Sequence, residues 1–425
     1  MSKVVCVTGA SGAIGSWLVR LLLERGYTVH ATIQDLKDEK ETTHLEAMEG
    51  AKSRLHFFEM DLLDSDSIAA AIKGCAGVFH LACPNIIGQV KDPEKEILEP
   101  AIKGTVNVLK AAKEAGVERV VATSSISSIM PSPNWPADKI KGEDCWTDLE
   151  YCREKGLYYP IAKTLAEKAG WDFAKETGFD VVMINPGTAL GPLIPPRINS
   201  SMAVLVKVLK GDKETYEDFF MGTAHFKDIA LAHILAYEKK NAAGRHLCVE
   251  AIRHYGDLVA KVAELYPEYN VATLPKDTQP GLLRAKDPSK KLIDLGLEFT
   301  PIDQIIKDAV ESLKSLGDKE TYEDFFMGTA HFKDIALAHI LAYEKKNAAG
   351  RHLCVEAIRH YGDLVAKVAE LYPEYNVATL PKDTQPGLLR AKDPSKKLID
   401  LGLEFTPIDE IIKDAVESLK SLGYV

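Results

Sequence analysis

No stretch of this chain approaches the roughly twenty consecutive apolar residues that span a bilayer, and no charged and apolar leader precedes the first strand-like run. A protein of the cytoplasm with no membrane partner is therefore expected. A cationic excess is missing too. The chain has 52 Lys and Arg against 62 Asp and Glu, a formal net charge of −10, with both signs interspersed and no basic stripe, which argues against nucleic acid as a partner. Cysteines are few and unpatterned. The seven, at positions 6, 75, 83, 145, 152, 248 and 354, show neither metal-ligand spacing nor a disulfide framework. Free thiols in a reducing compartment are expected, Cys145 and Cys152 included, and no metal.

What is present is enough apolar material for a large core: 46% of 425 residues are hydrophobic, in a chain longer than one usual domain. Part of that length is a repeat. Residues 212–317 recur as 318–423, with Gln304 against Glu410 as the one difference. Solenoid repeats are short, numerous and divergent, so this single long copy reads as a recent tandem duplication or an error of sequence assembly. The expected organisation is a nucleotide-binding domain over 1–190, a smaller substrate lobe over 191–317 (copy one from 212), and a duplicate over 318–425. Copy one, directly joined to its neighbour, is expected to dock. Copy two would be a partly folded appendage with an exposed apolar face, in a monomer or weak homo-oligomer open to a domain swap.

The chain is organised around Val4-Val5-Cys6-Val7-Thr8-Gly9-Ala10-Ser11-Gly12-Ala13-Ile14-Gly15. An apolar run too short for a helix meets three glycines spaced three apart, and an amphipathic segment follows. This predicts strand, tight turn and helix. Glycine allows φ > 0 and close backbone approach to a pyrophosphate, whose charge the helix N-terminus favours. A second strand over 28–33 ends in Gln34-Asp35. Further strands are predicted over 55–59, 76–81, 119–124 and 179–185, with helices between. One of these lies within 92–115, regular from about Pro100, and another spans 158–176. The alternation predicts an α/β fold, a doubly wound parallel sheet of Rossmann type, with ligands at the carboxyl ends of its strands. A strand over 245–249 is predicted within the smaller lobe.

Residues at those strand ends carry the chemistry. Tyr159 and Lys163 stand four apart on one helix face. An ammonium beside a phenol is expected to lower its pKa from about 10, and a hydroxyl from Ser124-Ser125 could hold a carbonyl oxygen against it. His80 is expected to be a packed, hydrogen-bonded histidine, Asn107 to bond a water or backbone group near the site, and Asp228 and His233 to hold the lobe together.

Together with Asp61-Leu62, Phe79-His80-Leu81-Ala82, Thr123-Ser124-Ser125, Asn185-Pro186 and Lys227 to His233, these motifs resemble an extended short-chain dehydrogenase/reductase. More narrowly, the sequence is similar to the plant cinnamoyl-CoA reductase and dihydroflavonol reductase group over residues 1–317. The resemblance implies an NADP(H)-dependent oxidoreductase acting on a small-molecule carbonyl, with phenylpropanoid-like aromatic substrates. Ser125, Tyr159 and Lys163 would be catalytic, Lys163 also bonding the nicotinamide ribose. Gly9, Ala10, Ser11, Gly12, Ala13, Ile14 and Gly15 would hold the pyrophosphate. Asp61 and Leu62 would meet the adenine, and Ala82, Cys83, Pro186, Gly187, Thr188 and Ala189 the nicotinamide side. Residues 84–87 and 126–131, Tyr158 and the lobe after Leu190 would frame the substrate.

Two departures from the family pattern stand out. Gln34 occupies the place where members using NADPH usually carry arginine, and Lys40, with Lys37, is expected to compensate; NADP is favoured and NAD is the alternative. The Asn-Trp-Tyr-Cys-Tyr-Gly-Lys-like signature of cinnamoyl-CoA reductases is replaced by Gly156-Leu157-Tyr158-Tyr159-Pro160-Ile161-Ala162-Lys163. An aldehyde or ketone substrate therefore stands beside a CoA thioester. Two other readings remain: an NAD-dependent sugar-nucleotide epimerase-like enzyme, and a cofactor-binding protein in which the duplicate suppresses catalysis.

Overall fold

The computed structural model describes residues 3–84, 92–136, 138–139, 141–209, 220–269, 271 and 288–317, and beyond these 326–329, 337–338, 357–373, 399–400, 404 and 407–421. The chain forms two compact units, Met1–Gly317 and Asp318–Val425.

In chain order the first unit begins β1 (Val4–Thr8), α1 (Ala13–Glu24), β2 (Thr28–Ile33), α2 (Glu39–Glu46), α3 (Ala51–Arg54), β3 (Leu55–Glu59), α4 (Ser65–Ile72) and β4 (Gly77–His80). It continues with α5 (Glu99–Glu114), β5 (Arg119–Thr123), α6 (Leu149–Glu154), α7 (Tyr158–Thr177), β6 (Val181–Pro186), β7 (Thr188–Leu190) and α8 (Ser200–Leu209). The remainder is β8 (Phe220–His225), α9 (Phe226–Glu238), β9 (Gly244–Cys248), β10 (Ala251–His254), α10 (Tyr255–Leu265), α11 (Lys290–Asp294) and α12 (Ile302–Gly317).

Seven parallel strands form one sheet in the order β3-β2-β1-β4-β5-β6-β9. Its central strands are almost continuously apolar because both faces are covered. Val5, Val7, Phe79, Val121, Val182 and Ile184 pack on the side of α1 and α9. Their neighbours Cys6, Val78, Val120, Ala122 and Met183 pack on the side of α4 and α5, the period-two alternation a strand imposes. Pro100 falls in the first turn of α5, where a missing N–H leaves no bond unmade.

The strand predicted over 245–249 is present, shifted by one residue, but not in the smaller lobe. It is β9, which pairs parallel with β6, Met183 opposite Arg245 and Pro186 opposite Cys248. A strand joins whichever edge offers free backbone groups, and here α9 carries the chain back across the sheet to β6. A second sheet, β10-β8-β7, has β7 parallel and β10 antiparallel to β8.

In the second unit Phe326–Thr329 pairs antiparallel with Ala357–His360, and helices cover Tyr361–Leu371 and Ile408–Ser421. The pairing of Phe326 with His360 and Thr329 with Ala357 repeats that of Phe220 with His254 and Thr223 with Ala251. Cys354 and most of 318–425 lie outside the described residues, and with them the expected exposed face. Among the described residues no helix is long and apolar enough to cross a membrane.

The first turn of α1 packs directly on the glycine bend. A Cβ added to Gly15 would lie 2.2 Å from the Gly9 carbonyl oxygen and 2.9 Å from that of Ala10. Gly15→Ala should therefore lower stability by about 1–3 kcal/mol, read as a lower urea midpoint at constant m. An unchanged midpoint would show that the bend can move aside.

Candidate active site

The site is built from the carboxyl ends of the central strands. Thr8 closes β1, and its hydroxyl accepts the N–H groups of Leu81 and Ala82, both at 3.0 Å. Gly9 follows at φ +67 with its α-carbon against Ala82, so a Cβ there would meet the Ala82 backbone at 3.0 Å. The bend is strapped to β2 by Ala10 N–H to the Thr32 carbonyl, 3.1 Å. Gly12 is the extended N-cap of α1 and offers no side-chain cap, and among the described residues no side-chain hydrogen bond to the first-turn N–H groups of Ala13 and Ile14 is found. A Cβ on Gly12 would approach only the Gly9 carbonyl, at 3.4 Å. With Ala10 and Ser11 buried beneath, this open, donor-rich cradle fits a nucleotide pyrophosphate.

At the end of β2 Gln34 is exposed, and its N–H donates to Glu41 Oε2 at 2.9 Å. Lys40 is exposed on α2. After β3, Asp61 caps its own turn by accepting the Leu63 N–H at 2.9 Å. The Leu62 carbonyl accepts Asn107 Nδ2 at 3.1 Å, the backbone bond expected of that asparagine. Pro186 closes β6, and Gly187 passes so close to β8 that a Cβ would lie 2.3 Å from the Gly222 carbonyl oxygen. Thr188 and Ala189 open β7. Residues 85–87, expected to frame substrate, lie outside the described residues.

Ser125, Tyr159 and Lys163 come together. Tyr159 and Lys163 share one face of α7, with the Ser125 side chain beside the Tyr159 phenol and Cys83 beside Lys163. Since Ala82 touches Gly9 and Cys83 touches Lys163, one step along the chain links the cradle to the Tyr–Lys pair. Lys163 is buried, and its Nζ donates to the Thr123 carbonyl at 2.8 Å. Burial works against its charge, but Cys83, Tyr159 and Glu167 together carry its pKa above the ordinary lysine value.

The expected acidic phenol is not found. Burial raises the Tyr159 pKa above its ordinary value, and neither Lys163 nor Ser125 brings it back. Although 41% of the residue is exposed, burial of the phenol, with Cys83 acting in the same direction, outweighs the lowering by Lys163 and Ser125. Tyr159 therefore stays protonated at neutral pH.

Sequence reasoning missed the support behind these groups. Glu167, one turn beyond Lys163 and fully buried, accepts Ser128 Oγ at 2.6 Å, Asn185 Nδ2 at 3.0 Å and Arg245 Nε at 2.7 Å, and also takes the Ser124 hydroxyl. Ser124 thus faces inward and Ser125 faces Tyr159. The i, i+4, i+8 series Tyr159–Lys163–Glu167 was a usable signal; nothing in the sequence pointed to Arg245. His233 does not hold the lobe: its Nε2 takes the Thr123 hydroxyl at 2.6 Å while its Nδ1 donates to the Ile229 carbonyl at 2.7 Å. Asp228 does tie segments together, accepting the Thr300 N–H at 2.8 Å. The six described cysteines are free.

His80 is packed as expected. The Thr8 hydroxyl, its lone pairs taken by two N–H groups, donates to Nδ1 at 2.9 Å, which leaves Nε2 to donate toward Thr105 at 3.5 Å. Burial pulls His80 down to about 3 and His233 to about 4. Both are neutral when folded but protonate near 6.5 when unfolded, so their contribution is complete above pH 6.5 and is lost as pH falls below it. Between pH 7.5 and 5.5 unfolding free energy should drop by about 3 kcal/mol, measured by urea titration. A flat profile would show that these rings can be protonated in place.

The cinnamoyl-CoA reductase 2 of Medicago truncatula is 46% identical to this chain over 316 residues, 74% of this chain and 92% of that protein. The crystal structure of vestitone reductase from alfalfa superposes with a TM-score of 0.62 at 32% identity, covering 74% of this chain and 99% of that one. That of yeast methylglyoxal/isovaleraldehyde reductase Gre2 complexed with NADPH gives a TM-score of 0.65 at 25% identity, over 74% and 99%. A profile of the NAD dependent epimerase/dehydratase family matches residues 5–249, from within β1 to the residue after β9, and the chain belongs to that family.

Proposed function

We propose that this chain is an NADP(H)-dependent reductase of a small-molecule carbonyl, either an aromatic aldehyde or ketone or a hydroxycinnamoyl-CoA-like thioester. One observation carries the reading: Ser125, Tyr159 and Lys163 converge a single residue away from the backbone that touches Gly9. The relatives named as cinnamoyl-CoA, vestitone and methylglyoxal reductases support it.

In this reading Gly9 to Gly15 hold the pyrophosphate, Asp61-Leu62 the adenine side, and Ala82, Cys83 and Pro186 to Ala189 the nicotinamide side. Gln34 and Lys40 flank the adenosine ribose. NADPH, when bound, supplies hydride to the carbonyl carbon. Ser125 donates a hydrogen bond to the carbonyl oxygen and keeps it against the Tyr159 hydroxyl. Tyr159 gives up its phenolic proton to that oxygen as negative charge develops there, and the Lys163 ammonium stabilises the phenolate left behind. Residues 1–190 and the returning β9 carry the nucleotide, and 191–317 frame the substrate. The half-exposed Leu157, Tyr158 and Tyr159 suit an aromatic substrate. With an aldehyde or ketone the product is an alcohol; with a thioester, departure of the thiol leaves an aldehyde.

Tyr159→Phe removes the proton donor and little else. It should lower kcat by roughly 10²- to 10⁴-fold while NADPH binding, followed by fluorescence titration, stays within about threefold. NADPH consumption with a panel of aromatic aldehydes and CoA esters reads the rate. Turnover left unchanged by the substitution would overturn the assignment.

A further inference from the structure

Directly after β2 the chain carries no arginine: Gln34 is followed by Asp35, the buried carboxylate of Glu41 takes the Gln34 N–H at 2.9 Å, and the nearby cations Lys37 and Lys40 are exposed lysines. A cation arrives from a distant part of the chain. Arg197, between β7 and α8, brings its Nη2 to 3.5 Å from Ser11 Oγ and 3.7 Å from Glu41 Oε1. Ser11 is the third residue of the glycine bend, and Glu41 is hydrogen-bonded to the end of β2. The guanidinium therefore stands between the bend that would take a pyrophosphate and the strand end that flanks an adenosine ribose.

Its present contacts are weak. Both distances lie at or beyond the long end of hydrogen bonding, and 53% of the side chain is exposed. Most of the five donors of a planar fork suited to phosphate are thus uncommitted. Its charge is nonetheless felt locally: with burial, it holds the His44 imidazole below its ordinary value. Without Arg197, only point-charge lysines such as Lys40 would offset the Glu41 carboxylate as a phosphate approached.

Resting on the nucleotide-binding reading above, we propose that Arg197 selects the 2′-phosphate of NADP(H), gripping it with its guanidinium while offsetting the charge of Glu41. A residue of the segment leading into the substrate lobe thereby adds to Lys40 the forked phosphate contact that Gln34 does not supply.

The test uses the full-length protein, with Arg197→Ala and Arg197→Lys, titrated calorimetrically with 2′,5′-ADP and with ADP. Arg197→Ala should weaken 2′,5′-ADP roughly 10- to 100-fold and leave ADP within about twofold, which also shows that the variant is folded. Arg197→Lys, a point charge without the fork, should fall between. The ratio of kcat/KM for NADPH over NADH should drop in parallel. Equal weakening of both ligands, or of neither, would overturn the proposal while leaving the nucleotide site standing. Wild-type protein that bound neither ligand would overturn the nucleotide reading itself.

Discussion

The buried ammonium of Lys163 is the constraint on which the rest of the site depends. A charge removed from water is tolerated only where fixed dipoles and opposite charges replace the solvent. Lys163, 6% exposed, finds them in the Thr123 carbonyl at the end of β5, Cys83 beyond the end of β4, Tyr159 one turn before it and Glu167 one turn after. Satisfying that charge draws two strand ends and one helix to a point. The same point is where a carbonyl would meet hydroxyl donors, so the reactive geometry follows from the lysine's own requirements.

Glu167 carries the constraint inward. Its carboxylate joins Ser128, Asn185 and Arg245, and the Arg245 guanidinium in turn donates to the Glu143 and Cys145 carbonyls at 2.6 and 2.7 Å and stacks 4.0 Å over the Trp146 ring. Arg245 belongs to β9, the edge strand beyond β6. The returning strand thus anchors the segment on which Ser125 sits. It also explains how two adjacent serines take different tasks. Ser125 is extended, with φ −163 and ψ 157, and neighbouring side chains of extended backbone point opposite ways; one faces Glu167, the other the phenol.

Thr123 is held from both sides. Its carbonyl serves Lys163 and its hydroxyl serves His233 on α9. Thr8 does similar work on the nucleotide side, its one hydroxyl tying the glycine bend to Leu81, Ala82 and His80. Neutral, buried histidines accept from these threonines. The two halves of the site are therefore registered through hydroxyls at strand ends rather than through loops.

The sequence by itself determined what depends on local periodicity and backbone freedom. Short apolar runs set the strands, the glycine triplet set the bend, and four-residue spacing put Tyr159 and Lys163 on one face. These depend on neighbours within a few positions, so β2 and β3 were legible to the residue. Only the tertiary structure decided what depends on burial or on partners far away in the chain. It turned Ser124 rather than Ser125 toward Glu167, sent β9 to the large sheet, placed His233 on Thr123 and brought Arg197 to Ser11. It also set the direction of the Tyr159 shift. Spacing revealed the cation that would lower it, but the burial that raises it exists only once the strand ends and α7 have closed around the phenol.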